Sequence, residues 1–141
     1  MITISILGLI AILSVPNYQR FMHGWRLNGE TQQLASALRT ARSSAVMKNI
    51  DVVFTFDTDD GTYSWFEDTN GNGSLDNGEY ESAEYNIGDT VEFAAHTLSS
   101  TTLTFGNKGS TRESGSITLR NVLNNVKQVR IFGGTGNVTV D

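Results

Sequence analysis

The residues best suited to chemistry in this chain form one oxygen-rich loop. Positions 68–79 read Asp68-Thr-Asn-Gly-Asn-Gly-Ser-Leu-Asp-Asn-Gly-Glu79, which fits the twelve-position calcium-loop pattern D-x-N-x-N-G-x5-E without a gap. Hard oxygen ligands of this kind are what Ca²⁺ prefers, and Gly73 stands where the loop must turn sharply. The pattern predicts a structural calcium ion, and no other cofactor. Its predicted ligands are Asp68, Asn70, Asn72, the Ser74 carbonyl, Asp76 and Glu79.

The sequence around this loop is not that of a helix–loop–helix calcium motif. Thr62–Glu67 alternates like a β-strand, and residues 81–86 lack a helical pattern. Two interpretations therefore stay open. One is a structural calcium site between strands, and the other is an Asn- and Gly-rich hairpin loop whose carboxylates are solvated.

Charge is unevenly distributed along the chain. Ten Lys and Arg stand against fifteen Asp and Glu, for a net charge of −5, and eleven of the carboxylates lie between Asp57 and Glu92, where no Lys or Arg occurs. Such a region is a solvated face, or it attracts a divalent cation or a basic neighbour. The overall acidity argues against nucleic acid as the default partner. Because the chain has no cysteine, disulfides, thiolate metal sites and cysteine nucleophiles are excluded.

Nothing else in the sequence predicts catalysis, and we expect a protein that is not an enzyme. His23 and His96 are isolated, and no Ser/His/Asp set is distinguished from the many Ser and Asp residues. Gly133-Gly-Thr-Gly136 lies between two strand-like runs and lacks the following helix and lysine of a phosphate cradle, which predicts a hairpin turn. Trp65 is expected in the core.

The elements that position the loop begin with a helical stalk. Residues 1–15 carry no charge, and Pro16 follows them, where a helix is expected to bend or melt locally. The apolar run is shorter than the roughly 20 residues of a typical membrane-spanning helix. It also lacks the basic region and the small-residue cleavage site of a signal peptide. We expect residues 1–24 to form a membrane or filament-core segment and residues 25–141 to form the head, with Trp25 near the membrane boundary.

The second half of the stalk has the spacing of an amphipathic helix. Its apolar residues fall on one face, which must pack on a sheet, and the helix is expected to end near Asn49. That face consists of Leu27, Leu34, Leu38, Ala41 and Ala45, whereas Gln32, Gln33, Arg39 and Ser43 lie off it.

Strand-like runs separated by Gly- and Asn-rich turns fill the rest of the chain, which predicts an α+β fold with an antiparallel sheet laid on the helix. The predicted strands are 52–56, 62–66, 91–93, 102–105, 116–119, 126–132 and 137–140.

Four segments of the chain resemble a known protein family. The carriers of the resemblance are the apolar start ending in Pro16-Asn-Tyr18, the segment Leu34–Val53, the loop 68–79, and Leu103-Thr-Phe-Gly-Asn-Lys-Gly109. Together they resemble the type IV pilin-like subunits of the GspH/FimT class, which are minor pseudopilins of type II secretion and minor pilins of type IV pili.

The resemblance implies a filament subunit of type IV pilin-like fold. Such proteins are cut by a prepilin peptidase, methylated on the new N-terminal residue, and held as a single pass in the bacterial inner membrane. The head lies in the periplasm, or outside the cell as part of a filament, and the subunits assemble with other pilin subunits through helix packing. The family places a glutamate early in the mature chain. Counting back from Pro16 puts that position before Met1, so a few mature residues are expected to precede this sequence; otherwise Ser5 stands in its place.

Two alternative functions stay open. FimT-like relatives take up DNA through basic residues near the C-terminal end, but residues 132–141 contain no Arg or Lys, and Lys127 and Arg130 are the nearest. The chain could also be the major subunit of a pilus, because abundance is not encoded in sequence.

Overall fold

A computed structural model describes residues 2–141, with side chains from Tyr18 onward. The first element is a single helix, α1 (Ile2–Lys48). It ends where Asn49 takes a positive φ of 57°, and the Ile50 N–H donates to the Ala45 carbonyl at 3.2 Å. This six-residue closure is a Schellman motif, which satisfies a terminal carbonyl and stops the helix. The predicted end near Asn49 is confirmed.

Eight strands follow the helix. All seven predicted runs are confirmed as strands, with ends shifted by no more than a few residues, and one short strand was missed. The strands are β1 (Asp51–Asp57), β2 (Thr62–Asp68), β3 (Tyr85–Asn86), β4 (Val91–His96), β5 (Thr102–Phe105), β6 (Gly115–Asn121), β7 (Val126–Phe132) and β8 (Asn137–Val140).

The strands divide into two antiparallel sheets rather than the one sheet that the sequence predicted. The first sheet has the order β3-β2-β1-β5, and the second has the order β4-β6-β7-β8. Because β4 joins the second sheet while β5 returns to pair with β1, the two sheets are interleaved along the chain. The α+β fold class, a helix packed on antiparallel strands, is confirmed.

The core lies between α1 and the inner faces of both sheets. It joins helix residues such as Leu34 and Leu38 to Phe54 and Phe105 of the first sheet and Ile131 of the second. One helix face therefore holds both sheets, and burying this apolar area is the main stabilising term for the head.

Helix α1 continues through Pro16 without a break, so the predicted local melting there is wrong, and the alternative of a bend stays a prediction. The role of the apolar residues that precede Pro16 and the position of Ser5 lie outside the described side chains. Among the residues whose side chains the structure describes, no helical stretch is both long enough and apolar enough to cross a membrane. The boundary at residue 24 stays a prediction.

Candidate assembly surface and acidic loop

The inner face of α1 is the surface that carries the head. All five residues of the predicted stripe are buried, and the four predicted to lie off it are exposed. Sequence reasoning missed Thr31, which is fully buried in the same stripe. Its hydroxyl donates to the Leu27 carbonyl one turn earlier, at 2.6 Å, so a polar residue occupies a core position without an unsatisfied group.

The outer face of α1 carries an exposed aromatic row. Tyr18, Phe21 and Trp25 are 66, 65 and 68 % exposed. Their spacing of three and four residues places them on one face of the helix. Trp25 stands about 200° around the helix from the buried Leu27, so the row points away from the head. Of the three, only Trp25 was predicted to lie at a boundary, although the spacing of all three aromatic residues is visible in the sequence.

Basic side chains on the helix bind the head. The Arg39 guanidinium donates to the Val138 carbonyl at 2.9 Å, and Arg42 Nε donates to the Gly109 carbonyl at 2.9 Å. Any Cβ at Gly136 would overlap that same Gly109 carbonyl, so the β7–β8 turn needs a glycine there. The glycine-rich segment 133–136 is therefore the hairpin turn that the sequence predicted.

A buried carboxylate of β2 binds side chains in the last turns of α1. The Glu67 side chain is 7 % exposed and accepts hydrogen bonds from Lys48 Nζ at 2.7 Å and from the Ser44 hydroxyl at 2.8 Å. Lys48 also lies over the Tyr80 ring, 5.4 Å from its centroid. The sequence offered no sign of this cluster, because the partners come from a helix and a strand.

The acidic loop follows β2 directly and is held by its own side chains. Asp68, which is buried, accepts hydrogen bonds from the N–H groups of Gly71, Asn72 and Gly73. Glu79 accepts from the Thr69 N–H at 2.7 Å and hydroxyl at 2.9 Å, and from the Asp76 N–H at 3.0 Å. The backbone donors of Asp76 and Thr69 lower the pKa of Glu79 below its ordinary value.

The loop brings the predicted calcium ligands into one turn, and its donors are hard oxygens. Within that turn, however, the side-chain amides of Asn70 and Asn72 donate to Asp76 Oδ2 at 2.7 and 2.6 Å. A cation would require both amides to rotate and present their oxygens. Among the described residues, no three acidic or histidine side chains are grouped closely enough to hold a metal. The calcium site stays a prediction.

His96 and the second tryptophan pack against aromatic side chains of the head, and His23 contacts the head through its main chain. His96 stands edge-on to the Phe56 ring, with centroids 5.3 Å apart. The carbonyl of His23 accepts a hydrogen bond from the Asn121 side chain at 3.2 Å. Trp65 is buried beside Tyr80, which confirms its predicted place in the core.

Solved structures with this architecture come from two related systems. The type IV minor pilin FimU of Pseudomonas aeruginosa matches with a TM-score of 0.68 at 15 % identity, covering 86 % of this chain and 92 % of FimU. The minor pseudopilin EpsH of the Vibrio cholerae type 2 secretion system matches with a TM-score of 0.65 at 11 % identity, covering 82 % of this chain and 96 % of EpsH. At these identities the likeness shows a shared fold.

Sequence comparison places the chain in a family. The model of the family described as type II transport protein GspH matches residues 30–136, which span the second half of α1 and nearly all of the head. No curated protein sequence matches the chain with comparable significance. The chain therefore belongs to the GspH family.

Proposed function

We propose that this GspH-family chain is a structural subunit, a minor pseudopilin or minor pilin, of a type II secretion or type IV pilus filament, and that it is not an enzyme. The observation that carries the proposal is the aromatic row of Tyr18, Phe21 and Trp25 on the face of α1 that points away from the head.

An exposed aromatic row needs a partner. Burying each such side chain is worth about 1.5–3 kcal/mol, so neighbouring helices that covered the row would stabilise an assembly strongly. The uncharged residues 2–15 continue the same helix, and their sequence supports packing among helices or in a bilayer. We therefore assign the helix to the filament interior and the head to its outside.

The hydrogen bonds between helix and head support this placement of the helix inside the filament and the head outside. Arg39, Arg42 and Asn121 join α1 to the second sheet and to the segment that contains Gly109, along most of the described helix. A head held at several levels moves with its helix as one body. Force or displacement applied to the helix would then be passed to the head.

The DNA-binding alternative gains no support from the basic residues near the C-terminal end. Of the two basic residues nearest that end, Arg130 is paired with Asp141, with Nε and Oδ2 2.8 Å apart, and Lys127 makes no ion pair among the described residues. Phosphate contacts dominate DNA affinity, and two cations, one of them already paired, supply few such contacts. We retain the structural role, as a minor subunit.

The proposal includes the life cycle that the family resemblance implies. The unassembled subunit lies in the inner membrane through its N-terminal helix, with its head in the periplasm. Prepilin peptidase processes it, the new N-terminal residue is methylated, and it then joins other pilin-like subunits.

Replacing the aromatic row tests the assembly role. Phe21→Asp combined with Trp25→Ser should abolish secretion or pilus assembly in cells, while the head unfolds at the unchanged temperature, because these side chains contact solvent in the subunit. The matched control is Gln32→Asp combined with Ser36→Asp, which adds charge to the polar part of the same helix and is expected to have a smaller effect. Normal assembly by the Phe21/Trp25 variant would overturn the proposal.

A further inference from the structure

The turn between β6 and β7 is an exposed apolar tip. Val122, Leu123 and Val126 are between 42 and 59 % exposed, and they are close together in the chain. A hairpin tip in water ordinarily carries polar residues, because apolar groups there gain nothing from folding. This tip therefore presents apolar surface that the head itself does not use.

The tip is held rigidly against the helix. Asn121, which is buried, accepts hydrogen bonds from the N–H groups of Leu123 and Asn125, each at 3.0 Å. Its amide group donates to the His23 carbonyl of α1 at 3.2 Å. One side chain thus fixes both the shape of the turn and its height along the helix.

Apolar side chains surround the helix at this height. The tip lies on the head side of α1, whereas Phe21 and Trp25 lie on the opposite side, within one turn of His23. A neighbouring helix would cover one side only. A planar boundary crossed by the helix would meet both sides at once, and aromatic side chains favour such a boundary in membranes.

The charges near this level fit an anionic surface. Arg20 and Arg26 are exposed on α1, and residues 1–29 contain no Asp or Glu. Lys127 follows the tip directly. The strand beside the tip, β4, and the loop before it carry Glu92, which is paired with Arg120, and the exposed Asp89. Basic groups beside apolar ones are typical of surfaces that bind anionic lipid headgroups.

We propose that five residues, here called the basal collar, dock the head of the unassembled subunit on the lipid headgroup layer of its own membrane. The collar consists of Phe21, Trp25, Val122, Leu123 and Val126. This inference rests on the membrane anchor in the proposed function, and adds that the head itself binds the bilayer. Release of the collar would then accompany entry into a filament.

The absence of cysteine in the chain permits a site-specific test on the full-length protein. Leu123→Cys is labelled with an environment-sensitive fluorophore, and the protein is reconstituted at low protein-to-lipid ratio in vesicles of phosphatidylglycerol and phosphatidylethanolamine. The control is Asn77→Cys in the exposed acidic loop. That loop follows β2 near Lys48, at the C-terminal end of α1, whereas the tip is joined to His23. Alkaline extraction establishes beforehand that the helix is anchored.

The expected result is a blue-shifted label at position 123 that lipids brominated near the headgroup quench, and that iodide quenches several-fold less than the label at position 77. Equal quenching of both labels by iodide in an anchored protein would overturn the inference while leaving the filament role intact. Protection that grows only with protein density would assign the tip to a second copy and also overturn it. Loss of the protein on alkaline extraction would contradict the anchor in the proposed function itself.

Discussion

Asn121 and His23 are 98 positions apart in the chain and are joined by a hydrogen bond of 3.2 Å from the asparagine amide to the histidine carbonyl. Through this contact the end of β6, in the second sheet, is fixed to α1. The same asparagine also accepts two N–H groups of its own turn. Asn121 therefore adds a fixed point between head and helix to those supplied by Arg39 and Arg42.

Asn121→Ala should lower the free energy of unfolding by about 1–3 kcal/mol, because a buried side chain loses its bond to the His23 carbonyl and its two bonds from the turn. Urea unfolding of the purified protein measures the change. The control is Asn125→Ala, since the Asn125 side chain is exposed. Equal effects of the two substitutions would contradict the anchoring role of Asn121.

Glu67→Gln should lower the free energy of unfolding by about 1–3 kcal/mol, because the buried carboxylate loses its charge-assisted bonds to Lys48 and Ser44. The matched control is Glu92→Gln, which breaks the exposed pair with Arg120 and should cost about 0–1 kcal/mol. A double-mutant cycle with Lys48→Met then isolates the pair. Similar losses at positions 67 and 92 would contradict the account.

Local patterns in the sequence predicted the elements well. The helix face from Leu27 to Ala45 follows from 3.6-residue periodicity, and the end of the helix follows from the change to β-branched and aromatic residues after Asp51. The positive φ of Asn49, which stops the helix, was found only in the structure. Strand β3 was missed because it has two residues, both exposed, which leave no alternating pattern.

Long-range pairing could not be read from the sequence. The division into two sheets depends on the pairing of β5 with β1, two strands that are far apart in the chain. Leu103 of β5, for example, pairs with Phe54 of β1. Glu67 and Asn121 likewise gain their importance from partners on α1. A buried glutamate and a buried asparagine look like surface residues until the fold brings those partners close.

Lowering the pH should destabilise the acidic loop, because Glu79 becomes protonated. The pKa of this carboxyl is lowered from its ordinary value of 4.5 by the amides of Asp76 and Thr69. Because the folded value is the lower one, the stabilisation is complete above the ordinary value and is lost as the pH falls through the folded value. Hydrogen-exchange protection factors of the Thr69 and Asp76 amides should fall in that range. Glu79→Gln should remove this dependence, and persistence of the same profile in the variant would assign it to another group.

We propose that the loop binds one structural Ca²⁺ when the Asn70 and Asn72 amides rotate to present their oxygens. Calorimetry should detect binding with a Kd of about 0.1–1 mM, as in extracellular calcium modules, together with a rise in Tm. Asp76→Asn should weaken binding, whereas Asp89→Asn, outside the loop, should leave it unchanged. Neither heat of binding nor a rise in Tm at millimolar Ca²⁺ would show that the loop is closed by hydrogen bonds alone.

The most direct test of the filament role is photo-crosslinking in intact cells from position 21 on the outer face of α1. With a photoreactive phenylalanine analogue in place of Phe21, the account predicts adducts between this chain and other pilin-like subunits, which disappear when filament assembly is blocked. The same analogue in place of Leu75, in the exposed acidic loop, should give few such adducts. A stable, membrane-bound protein that yields no protein adducts from position 21 under assembling conditions would contradict the claim that this helix assembles into a filament.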